Sequence, residues 1–173
     1  MKKISFQIKG ICPLKMDKWV EYESAPKTQE GYKKCAEDKC YRDKNGFLCI
    51  ESRALKACIR DAAAELSGRK KNTVIRSIQA GLFVEPYELS LGRKEHDGIV
   101  ADVVTRKNGK AITRVVSYRP MIRDWKVKGT IIFDESLSFD FLKQAIDVAG
   151  LRFGLLGHRP EFGRFEVTIF KEV

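Results

Sequence analysis

The stretch Gly150-Leu-Arg-Phe-Gly154-Leu-Leu-Gly157-His-Arg-Pro-Glu-Phe-Gly163-Arg164-Phe165 places the tightest local condition on how this chain folds. Its four glycines fall between an amphipathic segment and an alternating one, which makes the stretch a helix-to-strand connection. Arg152, His158, Arg159 and Arg164 alternate with the glycines. Two readings fit. One is a C-cap glycine followed by a tight turn with solvated arginines. The other is a phosphate-facing loop in which Gly154, Gly157 and Gly163 admit close approach of the backbone while Arg159 and Arg164 fork onto phosphate oxygens.

The rest of the chain supplies the elements around that loop. Ile4, Phe6 and Ile8 alternate with Ser5, Gln7 and Lys9, so residues 3–11 predict a half-buried strand. Residues 14–44 lose periodicity and predict a polar loop insertion, either mobile or ordered by a partner. Within it, Trp19 beside Lys15 and Lys18 either stacks on a base or tucks against the sheet. Asn45-Gly46 predicts a tight hairpin. Ser52 follows as an N-cap for a helix to about residue 66, whose apolar face is Leu55, Cys58, Ile59, Ala62 and Leu66. Arg53, Lys56 and Arg60 share another face of that helix, and Lys70 and Lys71 form a basic knot after it. Residues 73–79 predict a short helix, and residues 82–89 a strand in which Pro86 marks an edge or bulge.

A second hairpin is expected over 99–120, its Asn-Gly tip carrying Arg106, Lys107 and Lys110 as a cationic finger for a phosphate backbone. Residues 125–133 alternate as a strand with Lys126 and Lys128 on one side. The next helix, over 139–153, is followed by the glycine stretch and a last strand through Phe165, Val167 and Ile169. Set in order, the elements give a single α+β domain over 1–173 with insertions at 14–44 and 99–120. It is a ferredoxin-like βαββαβ antiparallel sheet with two helices on one face and inserted β-hairpins, leaving the other face free for a ligand.

The net charge of +10 is uneven: residues 1–20 and residues 51–80 each carry a net +4, which suits a polyanionic partner. The five cysteines are odd in number and irregular in spacing, as expected for free thiols in a reducing compartment. Cys35-x4-Cys40 has a spacing that zinc sites use, but no second close pair accompanies it, and neither a metal site nor a cofactor is expected. No apolar run approaches the roughly 20 residues that cross a bilayer, and the Met-Lys-Lys start lacks a signal-peptide core, so a cytoplasmic protein without a membrane partner is expected.

The block Phe47-Leu48-Cys49-Ile50-Glu51-Ser52-Arg53-Ala54-Leu55-Lys56-Ala57-Cys58-Ile59-Arg60 resembles the strand-turn-helix block of the RAMP superfamily, the RNA-binding subunits of CRISPR effector complexes. The glycine-rich loop before the last strand extends the resemblance. The chain is also similar to small phage and prophage proteins in its Gly10-Ile11-Cys12-Pro13-Leu14-Lys15-Met16 start, its Arg119-Pro120 pair and its Arg-Pro-x-Phe-Gly-Arg-Phe ending. The resemblance implies a non-catalytic protein that binds single-stranded RNA or DNA by its backbone, as a homo-oligomer assembled along the strand or as a subunit of a nucleoprotein complex. Two alternatives follow from it. One is a phage-encoded interaction protein that mimics or inhibits a host CRISPR or defence complex. The other is a metal-independent endoribonuclease with His158 as general base.

Overall fold

The computed structural model of the protein describes residues 1–21 and 26–173, and of the hairpin cations the side chain of Arg106 lies outside the described residues. The central sheet is built from β1 (Lys2–Gly10), β4 (Leu82–Glu85), β8 (Lys126–Phe133) and β9 (Phe165–Glu172), in the order β4-β8-β1-β9. All three pairings are antiparallel. Alternation dictates the faces. Ile4, Phe6, Ile8, Val127, Ile131 and Phe133 share one face and are buried. Against that core pack α2 (Ser52–Ser67) and α4 (Phe139–Val148). This is the ferredoxin-like α+β arrangement, with the crossover helices together and the opposite sheet face open.

The helices form where their apolar spacing requires. Leu55, Cys58, Ile59 and Ala62 make the buried stripe of α2, and Leu142, Ala145 and Ile146 that of α4. Ser138 caps α4 by accepting from the Phe141 N–H at 3.2 Å. Ser52, expected as the cap of α2, is instead its first, buried residue; the cap position falls on Glu51, whose side chain makes no cap bond. The Ser52 amide is satisfied by the carbonyl of Tyr87 at 2.7 Å, so a neighbouring strand end replaces the cap.

Residues 14–44 depart most from expectation. Instead of a loop they hold β2 (Leu14–Lys15) and α1 (Gln29–Asp38). Thr28 caps α1 by accepting from Gly31 N–H, and Cys35 and Ala36 are buried. The helix is polar on most of its surface and so has no sequence periodicity; its order comes from tertiary contacts such as the Tyr32–Tyr118 ring stack, 4.2 Å between centroids. The segment expected as one strand over 82–89 divides at Pro86: β4 stays in the central sheet, and β5 (Glu88–Ser90) pairs with β3 (Cys49–Glu51). A further helix, α3 (Lys71–Gly81), precedes β4. The long hairpin is formed by β6 (Gly98–Asn108) and β7 (Ala111–Ile122), and β2 adds to β7 as a third strand.

The glycine stretch begins with a π-helical turn, Ala149–Phe153, and then folds onto itself and onto residues 13–15. Leu155 N–H donates to the Gly163 carbonyl at 2.9 Å, Gly163 N–H to Pro13 at 2.8 Å and Gly157 N–H to Lys15 at 3.0 Å. Gly163 sits at φ +77°, and a Cβ there would run into the Leu155 backbone. At Gly46, φ +81°, the same atom would meet open space. Gly163→Ala is therefore expected to cost at least about 2 kcal/mol of unfolding free energy, against about 1 kcal/mol for Gly46→Ala. Urea denaturation of the two variants checks this, and equal losses would contradict the packing role.

Candidate nucleic-acid interface

Beneath the glycine loop lies a cluster of charges that the fold assembles from distant segments. Lys15 is only 1% exposed, flanked by the fully buried Leu14 and Met16. Its ammonium donates to both carboxylate oxygens of Asp102, on β6, at 2.9 and 3.1 Å, and to Nδ1 of His158 at 2.9 Å. It also lies 3.9 Å from the centre of the Phe162 ring. Arg119, on β7, bridges Asp102 at 2.9 Å and Asp17 at 2.7 Å. Lys39, the residue ending α1, donates to the Ser117 hydroxyl at 2.5 Å and lies 3.5 Å from Asp17. The loop, the hairpin, β2 and α1 thus meet at one ionic joint.

Burial by itself raises the Asp102 carboxyl, but the hydrogen bonds from Lys15 and Arg119 outweigh it and hold the group below its ordinary value. An ammonium has no lone pair, so His158 Nδ1 must accept from Lys15. The neutral ring therefore carries its proton on Nε2, away from the joint. His158 is 48% exposed on its side chain and sits in the left-handed region at φ 57°, as does Leu156 at φ 60°. Holding two non-glycine residues there costs on the order of 1 kcal/mol or more each, which the surrounding hydrogen bonds offset.

The predicted residues fall into three groups. Gly154, Gly157 and Gly163 are in the loop, but their missing side chains make room for the protein's own backbone: a Cβ would meet Phe162 O at 2.9 Å from Gly154 and Lys15 O at 3.1 Å from Gly157. The glycines thus serve the shape of the loop. His158, Arg159 and Arg164 are exposed on it, and among the described residues the two arginines form no ion pair. Arg164 lines a shallow cleft of about 260 Å³ together with Arg152, whose guanidinium pairs with Glu65.

The α2 cations are engaged locally. Arg53 pairs with Glu51 at 2.5 Å and Arg60 with Asp61 at 2.7 Å. Lys56 donates to the Gln79 carbonyl at 2.9 Å and lies over the Phe83 ring. Lys70 and Lys71 are exposed at the α2–α3 junction, and Lys107 and Lys110 are exposed near the hairpin tip. Trp19 is 80% exposed, so it does not tuck against the sheet.

Two groupings are not visible in the sequence, although Lys126 and Lys128 fall on one side of their strand there. Lys15, Asp102 and Arg119 carry the joint, and the one local hint was a lysine between apolar neighbours in Leu14-Lys15-Met16. The open face of the central sheet carries Lys3, Lys9, Lys126, Lys128 and Lys171, all exposed, with Lys9 opposite Lys126 on β8 and Glu166 on β9. Like charges side by side on a sheet are unfavourable unless something else neutralises them.

No family model matches the chain, and neither does any curated protein. Among solved structures, a chain of the type III-B Cmr-beta complex, determined by cryo-electron microscopy bound to cognate target RNA, superposes with a TM-score of 0.57 over 99% of this chain. The identity is 12%, and the match spans 60% of that chain's length. This is a likeness of fold alone. Among the described residues, no helix is long and apolar enough to cross a membrane.

Removing the Asp102 charge would leave the Lys15 ammonium buried without its anion. Asp102→Asn is expected to cost about 3 kcal/mol of unfolding free energy. Because the Asp102 carboxyl is depressed in the folded state, its contribution is complete above the ordinary carboxylate range and lost as pH falls below about 4. Denaturant unfolding across pH checks both points: the wild type should lose stability more steeply on the acid side than Asp102→Asn, and parallel profiles would contradict the assignment.

Proposed function

We propose that the chain binds single-stranded nucleic acid through its phosphate backbone and takes its place within a nucleoprotein assembly, without itself cleaving the strand. The observation that carries this reading is the glycine loop: it presents His158, Arg159 and Arg164 to solvent while a buried ionic joint holds its shape. A cationic loop ordered before its ligand arrives loses little entropy on binding an anion. With Nδ1 accepting from Lys15, the partly exposed His158 ring has an Nε2–H donor suited to a phosphate oxygen.

Further support comes from Lys107 and Lys110 on the hairpin, from the lysines of the open sheet face, and from the exposed Trp19, which is available to stack on a base. The fold likeness to a chain in an RNA-bound complex agrees with the same class of partner. A strand lying along several such loops gives side-by-side copies a reason to assemble. The ribonuclease alternative needs a basic ring nitrogen facing substrate, and the nitrogen able to accept a proton is occupied by Lys15.

Fluorescence anisotropy with labelled single-stranded RNA and DNA oligomers tests the reading. Binding is expected at low salt, weakening with a log-log slope of about −0.7 for each phosphate neutralised. The double variant Arg159→Ala/Arg164→Ala should bind roughly tenfold more weakly, with a shallower salt slope, while Lys143→Ala, whose ammonium pairs with Asp147, should match the wild type. Absence of binding at low salt would overturn the proposal. In the same mixtures the RNA should stay full-length; cleavage that His158→Ala abolishes would reinstate the enzymatic alternative.

A further inference from the structure

Away from the glycine loop, the end of α1 faces the segment that leads into β6, and three donors of different chemistry converge there. Glu37 lies in the last turn of α1 and Cys40 just past its C-cap Lys39, and His96 reaches them from residues 91–97. One carboxylate oxygen, the Cys40 sulfur and one imidazole nitrogen all lie within 4.8 Å of one another. We propose that Glu37, Cys40 and His96 bind a divalent transition-metal cation of the zinc type, which clips α1 to the segment preceding β6.

Four features support the site. His96 approaches Glu37 Oε2 with Nε2 at 3.7 Å and its buried Nδ1 has no hydrogen-bond partner, so among the described residues neither ring nitrogen is committed outside the cluster. The Cys40 sulfur is buried and, among the described residues, donates one long hydrogen bond, 3.7 Å, to the Ala36 carbonyl. The Glu37 carboxylate is already oriented: Arg42 Nε donates to its Oε1 at 3.0 Å, leaving Oε2 3.7 Å from His96 Nε2. An arginine that fixes one oxygen while the other faces the ion is the usual outer-shell arrangement for a carboxylate ligand. Arg42 also donates to the Lys94 carbonyl at 2.7 Å, which holds the 91–97 segment against α1 before any ion arrives.

Thiolate, imidazole and carboxylate together select zinc-type ions over magnesium or calcium. Bond lengths of about 2.0–2.3 Å bring tetrahedral ligands to roughly 3.5 Å apart, so the donors need to close by on the order of 1 Å. The fourth position opens into the adjoining groove of about 710 Å³, where water completes the coordination. Lys33 and Lys34 line that groove, and the clip keeps them on its rim. The pair considered from spacing alone, Cys35 and Cys40, contributes only its second member.

Titration of metal-free full-length protein with Co²⁺, followed by Zn²⁺ competition, tests the proposal. One equivalent of Co²⁺ should give a sulfur-to-cobalt charge-transfer band with tetrahedral ligand-field absorption, and Zn²⁺ should displace it. Cys40→Ser should remove the sulfur band. His96→Gln should weaken binding at least about tenfold while circular dichroism shows an unchanged fold. Cys35→Ser should keep the band. No sulfur band in the wild type, or a band that survives both Cys40→Ser and His96→Gln, would overturn the site. If Cys40→Ser does not fold, the partly exposed His96 variant decides by itself.

Discussion

The Lys15–Asp102 ion pair is the contact on which the arrangement of this chain depends. A lysine that is 1% exposed is stable as a cation only if its counter-charge and hydrogen-bond partners are all in place. Those partners are Asp102 on β6 and, from the glycine loop, His158 and the Phe162 ring, while Arg119 on β7 also pairs with Asp102. The joint can therefore form only when the hairpin, β2 and the loop reach their final positions together. It converts separate elements into one fixed geometry, and it does so directly under the exposed arginines of the loop.

Where the physics was local, the sequence announced it. The alternation of Ile4, Phe6 and Ile8, the stripes of α2 as far as Ala62 and of α4, and the Asn108-Gly109 hairpin tip correspond to formed elements, and their order predicts the ferredoxin-like sheet. At Asn45-Gly46 the chain makes a turn closed by one bridge, Arg42 to Leu48, and β3 pairs with β5 instead, while Leu66 is exposed. The misreadings arose where tertiary contact overrides local pattern. Polar α1 is ordered by the Tyr32–Tyr118 stack and a Thr28 cap, and neither leaves a periodic trace. Ser52 lost its capping role because the Tyr87 carbonyl reaches its amide first. The glycines of the loop were read as admitting a ligand, whereas their Cβ positions are filled by the chain's own backbone. No spacing rule relates Lys15 to Asp102, which are 87 residues apart, so the joint was invisible before folding.

The surface divides into cations that are spent and cations that are available. Arg53, Arg60, Arg93 and Lys143 each face a carboxylate close by in the chain, which screens them from a distant polyanion. Arg159 and Arg164 form no ion pair among the described residues; on the open sheet face Lys126, Lys128, Lys3 and Lys171 likewise form none, while Lys9 has Glu166 opposite it on β9. Under the proposed function, the loop and the sheet face would meet the polyanion more than the α2 face that composition alone suggested. A strand bound there would pass over a loop whose backbone is already ordered.

Hydrogen exchange of the loop amides most directly tests whether the buried joint holds the loop in its binding shape. The amides of Leu155, Gly157, Phe162 and Gly163 are all hydrogen-bonded within the protein and should exchange slowly in the wild type. In Asp102→Asn, studied under conditions where the protein stays folded, these amides should lose protection while those of β1 and β8 retain theirs. Unchanged protection of residues 154–164 in that variant would show that the loop holds its shape without the joint, and would contradict the account.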